Sequence, residues 1–194
     1  MNKGFIVYVS PLEMDSVDHR LVELPMEQEK LDALQLELNT GSPLYTEVSD
    51  FCGREYLEEH MPEDMDLTEL NLLAEKLASF ERVQEAAFEG LVRMELPLCR
   101  LIDLANSADC CHVAPGVGND EQLGHFYVDN DFPVIPPGLP EEVYEVLDYA
   151  AIGRKARIEE GGMFTSEGYV VQHTDLDVSY SQSHYGPQME VMST

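Results

Sequence analysis

Carboxylates are the first candidates for chemistry in this chain, because they recur along its whole length. Close pairs and groups stand at Glu58-Glu59, Glu63-Asp64, Asp129 with Asp131, Glu141-Glu142 with Glu145 and Asp148, and Glu159-Glu160. Glycoside hydrolysis needs two carboxylates at one site. In a chain this acidic, sequence proximity of two acids does not single out such a site. Asp129-Asn130-Asp131 opens like a calcium loop, but its sixth and twelfth places hold Val134 and Pro140. A calcium loop needs a turn glycine and a bidentate glutamate there. Cys110, Cys111 and His112 offer metal ligands, yet no second Cys or His pair stands at zinc spacing, so the run reads as a strand. Gly116-Val117-Gly118 lacks the third glycine of a dinucleotide fingerprint. No GxSxG nucleophile elbow occurs. The expectation is a protein with no catalytic residue, no metal and no cofactor.

The charge itself is the stronger signal. The 194 residues carry 38 Asp plus Glu against 11 Lys plus Arg, a net charge of -27. The hydrophobic fraction is 44 %, near the globular average, whereas disordered acidic chains are poor in apolar residues. The acid therefore sits on something folded. Such an excess opposes binding to nucleic acid and to anionic membranes and favours basic partners. Duplex DNA carries one charge per about 1.7 Å of axis, so the surplus matches roughly 46 Å of duplex, about 13 base pairs. The four cysteines form no CxxC pair, and adjacent Cys110 and Cys111 are poorly placed to bridge each other. They are expected to be reduced thiols of a cytoplasmic protein. The apolar run Phe5 to Val9 is too short for a signal-peptide core, and no stretch reaches the length of a membrane span.

The elements that must position these acids can be read in order. Gly4 to Ser10 and Arg20 to Leu24 predict strands, Pro25 a helix entry with the stripe Leu31, Leu34, Leu38, and Leu44 to Phe51 another strand. Asp66 followed by Glu69 resembles a capping box, opening a helix with Leu70, Leu73 and Leu77 on one face. Helices follow over Glu81 to Glu95 and Leu98 to Ala105. Cys110 to Val113 predicts a strand, Asn119 caps a helix, and Phe132 to Leu139 is a Pro-rich loop. A helix from Pro140 is expected to stop at Gly153, and Met163 to Val171 to form a hairpin. The fold class expected is α+β, as three small domains: α+β over 1–65, helical over 66–106 and α+β over 107–172, with a loosely ordered tail over 173–194. The acids are spread over all of it: 16 acids against 4 bases up to Asp66, 7 against 4 over 67–105, and 15 against 3 beyond. An acidic tail would be an interaction arm; this even spread predicts an acidic face along the molecule. Glu81, Glu85 and Glu89 stand at i,i+4 spacing, where like charges repel, with Arg82 and Arg93 as the nearest relief.

Two segments resemble a known family. Asp66 to Leu77 with the Glu-rich helix after it resembles the central segment of the ArdA antirestriction proteins. Leu147-Asp148-Tyr149-Ala150-Ala151-Ile152-Gly153-Arg154, with the hairpin around Met163-Phe164-Thr165, resembles that family's C-terminal signature. Asp148, Tyr149, Ala151, Gly153 and Arg154 match it. Ile152 replaces a Tyr and Lys155 an acid, departures that touch dimer contacts and local charge. The Leu24-Pro25 helix entry is similar too, and order and spacing correspond over roughly residues 4–172. The resemblance implies three domains in a row, an elongated curved shape, a homodimer and carriage by mobile elements. It implies an acidic DNA mimic that occupies the DNA-binding groove of a type I restriction-modification enzyme and blocks it competitively. The acids expected on exposed faces, as partner contacts, are Glu58, Glu59, Glu81, Glu85, Glu89, Glu141, Glu142 and Glu145. The rival expectation is an acidic adaptor or inhibitor of another basic nucleic-acid-binding protein, for example a CRISPR effector. A metal-dependent carboxylate hydrolase is a third.

Overall fold

A computed structural model describes residues 4–11, 19–38, 44–62, 65–96, 100–132, 135–136 and 138–176. The chain is α+β, with helices and two antiparallel three-stranded sheets among these residues. The first sheet is built on β1 (Phe5–Pro11), flanked by β2 (Arg20–Leu24) and β3 (Leu44–Asp50) in the order β2-β1-β3. Phe5, Val7 and Val9 point to one face and are buried, the period-2 alternation of a sheet with one covered side. Helix α1 (Gln28–Leu38) lays Leu31 and Leu38 on that core and leaves Leu36 outside.

Helix α2 (Leu67–Ala78) starts where Asp66 accepts the Glu69 backbone N–H at 2.8 Å. The cap forms, while the Glu69 carboxylate pairs with Arg100. Leu67, Leu70, Leu73, Ala74 and Leu77 bury one face of α2. Asn71 ties it to the chain entering α1: its Oδ1 accepts the Met26 N–H at 2.8 Å and its Nδ2 donates to the Met26 carbonyl at 3.1 Å. One buried cluster consequently runs from Phe5 to Ala108, on both sides of residue 65.

Helix α3 (Arg82–Arg93) is different in kind. Every residue from Ala86 to Val92 is buried, Glu89 and Gly90 included. An amphipathic helix on a surface buries a stripe; this one is covered from both sides. One side faces the first core, and the other faces the second sheet, β4 (Cys111–Pro115), β6 (Gly168–Gln172) and β5 (Met163–Phe164) in the order β4-β6-β5. Helix α4 (Leu101–Asn106) buries Leu101, Leu104 and Ala105 in the first cluster. The helix starts at Leu101, after Arg100 in an extended conformation, and not at the expected Leu98, a position outside the described residues.

Beyond the second sheet, α5 (Asp120–Asp129) and α7 (Tyr149–Glu160) pack on each other, with the single turn α6 (Glu141–Tyr144) before α7. Ala114, Val117, Leu123, Tyr127, Ala156 and Tyr169 form a second buried cluster. Asn119 caps α5 as expected, accepting the Gln122 N–H at 2.9 Å. The expected helix from Pro140 to Gly153 is corrected. It breaks after Tyr144, restarts at the Asp148 cap and runs through Gly153 to Glu160, ending at Gly161 with φ 67°. Gly153 is not a stop. A Cβ there would stand 1.9 Å from the Asp120 carbonyl oxygen, and one at Gly124 would stand 1.9 Å from that of Tyr149. Two glycines let the α5 and α7 backbones touch.

The tail expected from His173 is also corrected in its first residues. The His173 N–H donates to the Cys110 carbonyl at 3.0 Å, and Leu176 packs on the first core. The remainder, 177–194, lies outside the described residues. Among the described residues no helix is long and apolar enough to cross a membrane.

An unobstructed position inside a helix favours alanine over glycine, whereas a backbone contact has no room for it. Gly153→Ala is therefore expected to destabilise the protein by about 1–3 kcal/mol, the usual cost of overpacking. Chemical denaturation measures it, and an unchanged midpoint would overturn the contact.

Candidate acidic binding surface

The expected contact acids fall into two groups once folded. Glu58 and Glu59 follow the 3-10 turn Glu55–Leu57, whose Leu57 is sunk into the first core, and both carboxylates are exposed. Glu81 is exposed at the entry of α3, where its backbone N–H donates to Gln84 Oε1 at 3.1 Å. Glu141 and Glu142 occupy the first turn of α6 and Glu145 follows it; all three are exposed.

Glu85 and Glu89 do not belong with them. Glu85 is half-buried and takes both arms of Arg54, with Nε–Oε1 at 2.6 Å and Nη2–Oε2 at 2.8 Å. Tyr56 Oη donates to the same carboxylate at 3.2 Å. Arg54 is only 5 % exposed and also donates to the Leu77 carbonyl at 3.3 Å. Burial, then the Glu85 charge, pushes the Tyr56 hydroxyl far above its ordinary range. Glu89 is 3 % exposed, so its expected place on an exposed face is corrected. Arg93 Nε donates to it at 2.9 Å, the Ser166 Oγ–H at 2.8 Å and the Ser166 backbone N–H at 3.3 Å. The repulsion expected along Glu81, Glu85 and Glu89 is relieved by Arg54 and Arg93, while Arg82 reaches across to Glu167.

The signature residues build structure. Asp148 caps α7 by accepting the Ala151 N–H at 2.9 Å, which is the part exposed Ala151 plays. The Tyr149 ring stacks on His125 with centroids 3.7 Å apart, and its hydroxyl donates to the Tyr144 carbonyl at 3.1 Å. Gly153 is the backbone contact described above, and Arg154 stands 3.5 Å from Asp120. Lys155 pairs loosely with Glu159 at 3.8 Å on the exposed side.

Three partners of this motif carry no local signal. Arg157 grips Asp120 with Nε–Oδ1 at 2.8 Å and Nη2–Oδ2 at 3.3 Å. That hydrogen bond, ahead of the opposing effect of burial, holds the Asp120 carboxyl below its usual range. Glu160 accepts the hydroxyls of Tyr127 at 2.6 Å and Tyr169 at 2.9 Å, tying α7 to α5 and β6. Burial first, and Glu160 second, push both phenols well above their ordinary values. The partners lie many residues apart, so only the folded chain brings them together.

Every described arginine is thus paired with a carboxylate of the same chain. The exposed acids are left without that compensation in bulk, which is why the surface stays strongly negative. Cys110 ends a 3-10 turn and Cys111 and His112 begin β4, one residue later than expected, and burial pushes the Cys111 thiol up to about 12, too high for a reactive thiolate. Among the described residues, no three His, Cys, Asp or Glu side chains are grouped to hold a metal ion.

No protein-family model matches the chain, and no curated protein sequence matches it either.

Because its carboxyl is depressed in the fold, the stabilisation from Asp120 is present above about pH 4, the ordinary carboxylate value, and is lost as pH falls through the lower native one. Asp120→Asn should lower the melting temperature at pH 7, and the gap from wild type should shrink as pH drops below about 4. Thermal melts across pH measure this; a constant gap would show that Asp120 acts by packing alone.

Proposed function

We propose that this protein is an antirestriction protein, an acidic DNA mimic that occupies the DNA-binding groove of a type I restriction-modification enzyme and blocks it competitively. One observation carries this: exposed carboxylates stand on different parts of the fold, Glu58 and Glu59 after the turn anchored in the first core and Glu141, Glu142 and Glu145 at α6, while each described arginine is paired with a carboxylate of the same chain. The net charge of -27 supplies enough negative charge for a protein-binding stretch of duplex. The likeness to the ArdA family in Asp66 to Leu77 and Asp148 to Arg154 supports the same target.

Physically, carboxylates take the place of phosphates against the basic groups of the enzyme's groove. Binding then releases counterions and weakens steeply with salt, as for DNA itself. No bond is made or broken, so no catalytic group or cofactor is required. A mimic of this kind acts in the cytoplasm of a bacterial host, carried by a mobile element. The ArdA likeness further suggests three small domains in an elongated, curved homodimer.

The test is competition. A purified type I methyltransferase is bound to a labelled duplex, and this protein is titrated in at two salt concentrations. Displacement at low salt that fades at high salt is expected. Glu141→Gln, Glu142→Gln and Glu145→Gln together should weaken displacement and flatten its salt dependence. No displacement at low salt would overturn the assignment. Displacement of DNA from a different basic nucleic-acid-binding protein would point to the adaptor alternative.

A further inference from the structure

We infer that Glu89 is a positioning residue: buried between the two cores, it latches α3 to the β5–β6 turn and so sets the spacing between the two groups of exposed acids. This rests on the mimic function proposed above and adds a residue that acts without touching the partner.

The first group, Glu58 and Glu59, is anchored on the first core through Leu57. The second, Glu141, Glu142 and Glu145, lies on and just after α6, which is tied to α7 of the second unit where the Tyr149 hydroxyl donates to the Tyr144 carbonyl at 3.1 Å. The two cores meet across α3. On that helix Glu89 spans 77 residues of sequence to reach Ser166, with Oγ at 2.8 Å and N at 3.3 Å. Beside it Gly90 is the point of closest approach: a Cβ there would stand 2.7 Å from the Cβ and Cγ1 of Val170, a fully buried residue of β6. Gln84 Nε2 to Asp109 Oδ1 at 3.2 Å and Arg82 to Glu167 extend the seam along the same helix. A polar cleft of about 650 Å³ opens at its edge, lined by Arg54, Tyr56, Glu85, Glu89, Arg93 and Ser166.

A buried carboxylate is a poor source of net stability, because desolvation offsets its attractions, but it is demanding about geometry. An apolar pair here would bury surface as well and permit sliding. Glu89 permits one arrangement, in which three donors converge on it. A mimic must offer its charges at the partner's spacing. When two binding groups are rigidly placed, the second engages almost as an intramolecular event; when they are not, that advantage falls away without loss of any charge.

The test uses the full chain, with Gly90→Ala as the main variant, since it alters no charge. Ser166→Ala, which deletes the 2.8 Å hydroxyl bond at an exposed position, is the milder second variant. Hydrogen exchange at the Ser166 amide reports the seam, and displacement of a labelled duplex from a type I methyltransferase reports the function. Both are read at a temperature where circular dichroism shows each variant folded. Gly90→Ala should speed exchange at Ser166 and weaken displacement by about tenfold or more. Ser166→Ala should move both readouts in the same direction by less. Glu58→Gln should weaken displacement and leave Ser166 exchange unchanged. A loosened seam with wild-type displacement in either variant would overturn the inference and leave the mimic function standing. Unchanged exchange at Ser166 in both variants would overturn it as well. A wild-type protein that displaces nothing at low salt would overturn the mimic function and this inference together.

Discussion

Mutual repulsion among carboxylates is the constraint around which this fold is arranged. A surplus of 27 negative charges opposes any compact state, and the chain has few cations to set against it. It places them where geometry matters most. Arg54 locks Glu85 beside the end of α2, Arg93 shares Glu89 with Ser166 at the seam, and Arg157 with Arg154 holds Asp120 at the start of α5. Each is a point where two elements distant in sequence meet. The apolar cores supply the stability, and the ion pairs choose the arrangement.

A division of labour among the acids follows. Glu85, Glu89, Asp120 and Glu160 face inward or across element boundaries, each held by basic groups or hydroxyls. Glu58, Glu59, Glu81, Glu141, Glu142 and Glu145 remain in solvent. The second set is exposed throughout, whereas Glu85 is half-buried and Glu89 buried. The same division explains how so acidic a chain keeps seams between its units: the acids at the seams are neutralised locally, and the exposed ones stand in solvent, where water and salt weaken their repulsion.

Helix α3 shows how an element's role is decided by its neighbours. Its sequence, with Glu81, Glu85 and Glu89 at regular spacing, has the pattern of a helix with one solvated acidic face. In the fold two of those three acids are turned into joints, because Arg54 and Tyr56 reach Glu85 from the first unit and the β5–β6 turn covers Glu89 from the second. Gly90 and Gly153 carry the same lesson for glycine. Each sits inside a helix, where glycine weakens the local structure, and each is explained by a backbone or side chain arriving from elsewhere.

The sequence alone determined the elements whose signals are local. The alternation of Phe5, Val7 and Val9, the stripe of Leu70, Leu73 and Leu77, and the caps at Asp66 and Asn119 each depend on residues within a turn or two, and each stands where its pattern places it. Composition likewise determined that the surface would be strongly acidic, since 38 acids cannot be hidden in a chain with 11 bases. Tertiary structure alone decided which acids those would be. Whether Glu89 faces water or Ser166, whether Gly153 ends a helix or lets one pass close to Asp120, and whether His173 leaves the fold or bonds to Cys110 depend on partners 33 to 77 residues away. No local periodicity encodes those meetings, because burial and pairing come from the packing of whole elements.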